Sequence, residues 1–253
     1  KLLSDATAEQ LLVKEKVFAA QENPLFTVRH LKKRFQNEEG VNDVSFDICE
    51  GEVFALAGES GSGKTTLAKI LTGLEQPDSG EVFCRGERVD RKNRKRNKNM
   101  HGKVRMIFQD PYSSLNPCMT INEMLTETLR AKEKQIKFDQ KERKKDRQRQ
   151  IEQMLTRVGL SSLDGKRYPR ELSGGQRQKA AIARALLLEP ELLICDEAVS
   201  SLDAATRTQI LDLLLRVVKE KKIACLFISH DMALIRRISH RTGVLYKGTL
   251  AEC

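Results

Sequence analysis

The run Gly58-Glu59-Ser60-Gly61-Ser62-Gly63-Lys64-Thr65 fits the pattern G-x-x-x-x-G-K-[ST] at every fixed position. A loop of this kind binds phosphate. Its glycines let the backbone curl until several N–H groups face inward, and a helix starting at its end adds positive potential. Lys64 then reaches the β- and γ-phosphates of a nucleotide, the Thr65 hydroxyl ligates Mg²⁺, and Thr66 joins the nucleotide-binding set. A second reactive pair, Asp196-Glu197, closes the apolar run Leu192-Leu193-Ile194-Cys195. Neighbouring side chains on a strand point to opposite faces, but where the strand ends the chain turns and both carboxylates can approach one ligand. Asp196 is placed to hold Mg²⁺, directly or through water. Glu197 is placed to orient and polarise an attacking water. Phosphoryl transfer needs mainly positioning and charge neutralisation, so this division of labour suits nucleotide hydrolysis.

Such groups act together only if strands and helices bring them together. Strand-like alternation begins at Leu25-Phe26-Thr27-Val28, and further strand signals are Val44-Ser45-Phe46-Asp47-Ile48 and Val53-Phe54-Ala55-Leu56-Ala57. The third of these runs straight into the glycine loop, and a helix is predicted over 65–74. Pro77-Asp78-Ser79-Gly80 reads as a turn. Another strand is predicted over 104–108. The charged tract 132–149 reads as one long exposed helix, and apolar residues return at helical spacing at Ile151, Met154, Leu155 and Val158. A further helix begins near Ser173. The near-continuous apolar runs at 192–195 and 223–228 suit strands of a parallel sheet covered on both faces. The class is therefore α/β, a parallel core interrupted from about 110 to about 171 by a mainly helical insertion. Residues 1–24 read as a tail or linker.

Composition narrows the function classes. The 253 residues are 40% hydrophobic and 32% charged, which allows a packed core and a well-solvated surface and excludes disorder throughout. The net charge of +10 fits a nucleic acid, an anionic membrane surface or a phosphate-bearing ligand, and cannot choose among them. The six cysteines are scattered with no C-x-x-C pair, so reduced thiols are expected rather than disulfides or a zinc site. No apolar stretch approaches the roughly 20 residues that cross a bilayer. No signal peptide is visible, and the first residue is not Met, so a processed, trimmed or internal start is expected.

The segment Leu172-Ser173-Gly174-Gly175-Gln176 resembles the signature motif of ABC ATPases at every position. The family's other elements follow in order. Gln109, at the end of a strand, is similar to the Q-loop glutamine. Ser201-Leu202-Asp203 resembles the D-loop, and His230 the switch histidine. Phe35 stands where the family places an aromatic residue against adenine. Phe108-Gln109-Asp110-Pro111-Tyr112-Ser113-Ser114-Leu115-Asn116-Pro117 and Asp196-Glu197-Ala198-Val199-Ser200-Ser201-Leu202-Asp203 resemble the oligopeptide, dipeptide and nickel importer branch, and within it the second of two paired ATPase subunits. Ser201 and Ala204-Ala205-Thr206 depart from the usual residues. The branch normally continues past the final strand into a Pro-rich tail, so either a trimmed tail or a tail-less member is expected.

The resemblance implies a P-loop (RecA-like) core (25–109 and 172–253), a small N-terminal antiparallel β subdomain and the helical insertion at 110–171. It implies ATP and Mg²⁺ as cofactors, with Gln109 as a further Mg²⁺ ligand and Glu197, His230 and Gln109 as the catalytic set. It also implies a head-to-tail dimer with a second ABC ATPase subunit. Phe35, the phosphate loop, Ser173, Gly174, Gly175, Gln176 and Asp203 then surround the nucleotide. Further partners implied are two transmembrane permease subunits, onto which the insertion docks, and an extracellular substrate-binding protein. That places the chain on the cytoplasmic face of the cell membrane, powering import of peptides, nickel or metal–chelator complexes. The rival is a soluble ABC ATPase acting on the ribosome or nucleic acid. The basic residues Arg91 to Lys98 support it, but no aromatic interleaves them for base stacking, and no nucleic-acid partner is expected. A non-enzymatic scaffold is opposed by the intact Lys64, Glu197 and His230.

Overall fold

Alternation along β1 (Phe26–Arg34) sends Phe26, Val28 and Leu31 into the core while Arg29 and His30 face out. In this computed structural model, which describes residues 24–35, 39–89, 103–133 and 140–252, β1 lies between two antiparallel partners. These are β2 (Glu39–Ile48), with Phe26 opposite Ile48, and β4 (Ser79–Cys84), with Phe26 opposite Cys84. With β5 (Glu87–Arg88) the order is β2-β1-β4-β5. The expected turn at 77–80 is corrected here, because Ser79 and Gly80 already belong to β4. The ladder slips between Arg29 and Lys32, and Gly80, at φ 96°, meets the His30 backbone so closely that a side chain there would collide with it. Glycine serves a strand irregularity rather than a reversal.

The second sheet has the order β10-β9-β3-β8-β7-β6, from β3 (Val53–Ala57), β6 (Val104–Ile107), β7 (Leu192–Asp196), β8 (Ala224–Ile228), β9 (Arg241–Tyr246) and β10 (Thr249–Glu252). β3 runs parallel to β8 and β9, and β7 parallel to β8. Every residue of β3, β7 and β8 is buried, as the continuous apolar runs require of a doubly covered parallel sheet. Phe54, Leu56, Ile194, Leu226 and Ile228 form the centre of the core with Leu67, and the Phe46 and Phe54 rings stack 5.2 Å apart.

Just before β3, Glu52 is fully buried. It accepts hydrogen bonds from the Cys49 N–H (2.6 Å) and from Arg241 Nε (2.7 Å) and Nη2 (3.2 Å). Removing one side of a buried, hydrogen-bonded ion pair leaves the other desolvated and unmatched. Glu52→Ala is expected to cost on the order of 3 kcal/mol of stability, read as a lower melting temperature in calorimetry. A melting temperature within a degree of the parent would show the pair to be idle.

The chain divides into two compact units. The first takes in the described residues as far as Met106, Glu191–Glu197 and those from Leu215 onward. The second is Ile107–Pro190 with Ala198–Leu214. The second is helical: α2 (Pro111–Ser114), α3 (Ile121–Glu133), α4 (Gln140–Arg157), α5 (Ser162–Gly165), a 3₁₀ turn (Pro169–Glu171), α6 (Gly174–Leu186) and the start of α7 (Ala204–Lys221). Within the tract 132–149, residues 132–133 close α3 and 140–149 open α4, both helical as expected, while 134–139 lie outside the described residues. Ile121, Met124, Leu125 and Leu129 of α3 are buried at i, i+3, i+4 and i+8, and Ile151 and Leu155 of α4 one turn apart. The two helices that complete the first unit are α1 (Lys64–Thr72) and α8 (Met232–Ile238). Among the described residues no helix is long and apolar enough to cross a membrane. None of the five described cysteines forms a disulfide. The tail at 1–23 and most of the basic tract, 90–102, lie outside the described residues.

Candidate functional site

The phosphate loop joins the C-terminal end of β3 to α1. Gly58, Gly61 and Gly63 all have positive φ, at 152°, 82° and 102°. Gly58 and Gly63 are also required by close approach, since a side chain would collide with the Leu245 carbonyl at the one and the Gly40 carbonyl at the other. Gly63 is the N-cap of α1 and makes no side-chain hydrogen bond, so the first backbone N–H groups of the helix are not capped by a side chain. The loop is braced from the β9–β10 turn by the Gly248 N–H, which donates to the Ser62 carbonyl at 3.0 Å. Glu59, Ser60 and Gly61 are exposed, Ser62 is buried, and Thr66 is half-buried in the first turn of α1.

Lys64 is buried, with its Nζ donating to the carbonyls of Gly58 (2.9 Å) and Glu59 and to Ser62 Oγ (3.3 Å). Burial lowers its pKa, and the carboxylates of Glu197 and Asp196 oppose that shift. Thr65 Oγ1 donates to Asp196 Oδ2 at 2.9 Å. Asp196 ends β7, opposite Ile228 of β8. Its pKa is raised, first by burial and then by the Glu197 charge, against the Thr65 hydrogen bond and the Lys64 charge. Glu197 follows with φ 47°, left-handed backbone at a residue that has a Cβ, which costs about 1–3 kcal/mol. Its N–H donates to the Ile228 carbonyl at 3.0 Å, and its Oε1 lies 3.0 Å from His230 Nδ1. Lysine, threonine, two carboxylates and histidine thus converge where β3, β7 and β8 end, which is where ligands bind in open parallel sheets. The left-handed turn lets adjacent acids serve one mouth, Asp196 toward Thr65 and Glu197 toward His230.

Phe35, one residue past β1, is 46% exposed rather than core, with its ring against Gly40. Sequence reasoning missed Gly40, Leu245 and Gly248, which carry no motif and matter only because tertiary packing presses them on the loop. The doublet Asp196-Glu197 at a strand end was the available signal for the turn at Glu197.

The remaining expected residues lie in the second unit. Gln109 is exposed, two residues past β6. Ser173 is the N-cap of α6, where Ser173 Oγ accepts from the Gln176 N–H (3.2 Å) and Gln176 Oε1 from the Ser173 N–H (3.0 Å). Gln176 Nε2 donates to Asp164 Oδ1 at 3.2 Å, so this side chain, expected at the nucleotide, is spent on the cap and its support. A side chain at Gly175 would strike Thr206 Cγ2 at 2.5 Å, whereas one at Gly174 would meet nothing within 4 Å. Asp203 accepts from the Thr206 N–H at 3.0 Å, which holds its pKa low and caps α7.

Residues 41–200 match the family described as ABC transporter. Over 233 residues the chain is 43% identical to the oligopeptide transport ATP-binding protein OppF of Bacillus subtilis, covering 90% of this chain and 74% of that one. It is 42% identical over 240 residues to the glutathione import ATP-binding protein GsiA of Escherichia coli, covering 90% of this chain but only 37% of the longer protein. The fold superposes on the dimeric, post-hydrolysis structure of the ATP-binding cassette MJ0796 bound to ADP and Pi. The TM-score is 0.77 at 26% identity, covering 90% of this chain and 97% of that one.

Proposed function

The chain belongs to the ABC transporter family, whose ATP-binding subunits are ATPases, and on that premise we propose that it powers the import of peptides or related small cargo. The Thr65–Asp196 hydrogen bond carries the reading, because it joins the phosphate loop to an acid 131 residues away. Lys64 binds the β- and γ-phosphates, and Phe35 stacks on the base. The donor set fits Mg²⁺, since Thr65 and Asp196 offer adjacent hard oxygens; Gln109 joins them on the family resemblance alone. Held there, Mg²⁺ would neutralise charge on the phosphate oxygens. Glu197 orients the attacking water, and His230 steadies that carboxylate through the 3.0 Å contact. Gln109 senses the γ-phosphate at the start of the helical insertion, 110–171, within a core of 25–109 and 172–253.

The partner set follows the relatives. MJ0796 is dimeric, and a second ATPase subunit packed head to tail would bring its own Ser173-Gly174-Gly175 segment, or the equivalent, over this chain's ATP, with Asp203 at the seam. OppF and GsiA serve oligopeptide transport and glutathione import, which favours peptide-class cargo over nickel or metal chelates. Two permease subunits would hold the chain on the cytoplasmic face of the membrane, and an extracellular binding protein would deliver cargo. Affinity purification of the tagged chain from detergent-solubilised membranes is expected to recover two polytopic membrane proteins. Recovery with ribosomes or RNA and no polytopic protein would overturn the transporter reading.

A further inference from the structure

The Phe35 ring is set by two neighbours in its own unit. Lys33 Nζ lies over the ring, 5.5 Å from its centroid, and is itself pinned by Glu75 Oε1 at 3.0 Å and Asp78 Oδ1 at 3.4 Å. Asp78 also accepts the Arg34 N–H at 2.7 Å, so the anchor is tied to the backbone of β1. The Glu75 hydrogen bond, followed by Asp78, raises the Lys33 pKa, which keeps the ammonium charged at neutral pH. Along the ring's Cδ2–Cε2 edge stands Gly40. A Cβ there would lie 2.8 Å from Phe35 Cε2 and 3.1 Å from Cδ2, and the Gly40 carbonyl fills the space beside Gly63 of the phosphate loop. Gly40 therefore separates the aromatic ring from the loop by one backbone residue.

We propose that Lys33 is a positioning residue that holds the Phe35 ring beside the phosphate loop for the nucleotide base, and that Gly40 is glycine because the ring needs its space. The inference rests on the reading of Phe35 as the base-stacking residue. An exposed aromatic side chain free to change rotamer must be ordered when a base arrives, and that ordering opposes binding. A cation fixed by two carboxylates orders the ring beforehand, through attraction to its π face. Lys33 need not touch the nucleotide to raise its affinity.

Isothermal titration of the whole chain with MgATP and, separately, with magnesium tripolyphosphate separates the contributions of base and phosphates. Phe35→Ala is expected to weaken ATP and leave tripolyphosphate unchanged. Lys33→Met should weaken ATP about two- to fivefold, as a lost exposed cation–π contact would, with tripolyphosphate again unchanged. Lys33→Arg should restore ATP binding, and Gly40→Ala should weaken it in the same selective way. Lys33→Met added to Phe35→Ala should have no further effect. A Lys33→Met loss shared by both ligands, or one that persists in the Phe35→Ala background, overturns the positioning role while the base-stacking assignment stands. Unchanged ATP affinity in Phe35→Ala instead overturns that assignment and the inference with it. Unchanged ATP affinity in Gly40→Ala removes Gly40 from the device.

Discussion

Glu197→Gln is expected to bind MgATP with affinity close to the parent's and to hydrolyse it on the order of a hundredfold or more slowly, the usual worth of a positioned general base. Glutamine has the same shape and can keep a hydrogen bond to His230 Nδ1, which lies 3.0 Å from the present carboxylate. The left-handed backbone at Glu197 is equally open to it, so the turn that aims Asp196 at Thr65 should survive. What disappears is the negative charge that draws a proton from water. Lys64 loses one of the two carboxylates that favour its charged form, but Asp196 remains and the loop carbonyls still hold Nζ. Binding and turnover should therefore separate. Steady-state phosphate release and nucleotide titration on the same preparation make the comparison. Turnover within twofold of the parent would mean that another group prepares the water and that the acid after β7 is structural.

Much of this site was legible because its signals are local. The glycine loop, the strand before it and the helix after it are contiguous, and β3 begins and ends where its apolar run and the following turn residues put it, at Val53 and Ala57. The same holds for the apolar runs of β7 and β8 and for Ser173 as the start of a helix. Features set by distant partners were not legible. Gly80 looks like a turn residue, yet it is a strand residue pressed on His30, 50 positions earlier in the chain. Gly40 carries no motif, and only the fold shows it lodged between Phe35 and Gly63. Gln176 matches a functional motif, while its side chain is taken by the N-cap of α6 and by Asp164. Two neighbouring glycines, Gly174 and Gly175, are indistinguishable in sequence. Contacts divide them, since Thr206 excludes a side chain at Gly175 and nothing does so at Gly174.

That division sharpens the test of the composite site. Gly174→Asp should leave the chain folded, because a Cβ there meets no heavy atom within 4 Å and the position lacks the positive φ that only glycine favours. An acid in the first turn of α6 is even compatible with that helix's dipole. In the proposed dimer, however, the same carboxylate would face the γ-phosphate of the partner's nucleotide. Like charges at contact distance repel by roughly 4 kcal/mol at a partly screened dielectric, enough to reduce closure about a thousandfold. Each subunit should still bind ATP through Lys64 and Thr65, so nucleotide affinity stays while turnover in the assembled complex falls to background. Glu197→Gln, which traps ATP, should show ATP-dependent association with the paired subunit in size-exclusion chromatography, and adding Gly174→Asp should abolish it. Ser173 supports the arrangement, because its Oγ accepts in the cap and keeps a proton to donate. Gly174→Ala is the steric control and should retain most activity, since it adds bulk without charge. Full ATPase activity with Gly174→Asp in every copy of this chain would mean that this surface does not close over a nucleotide.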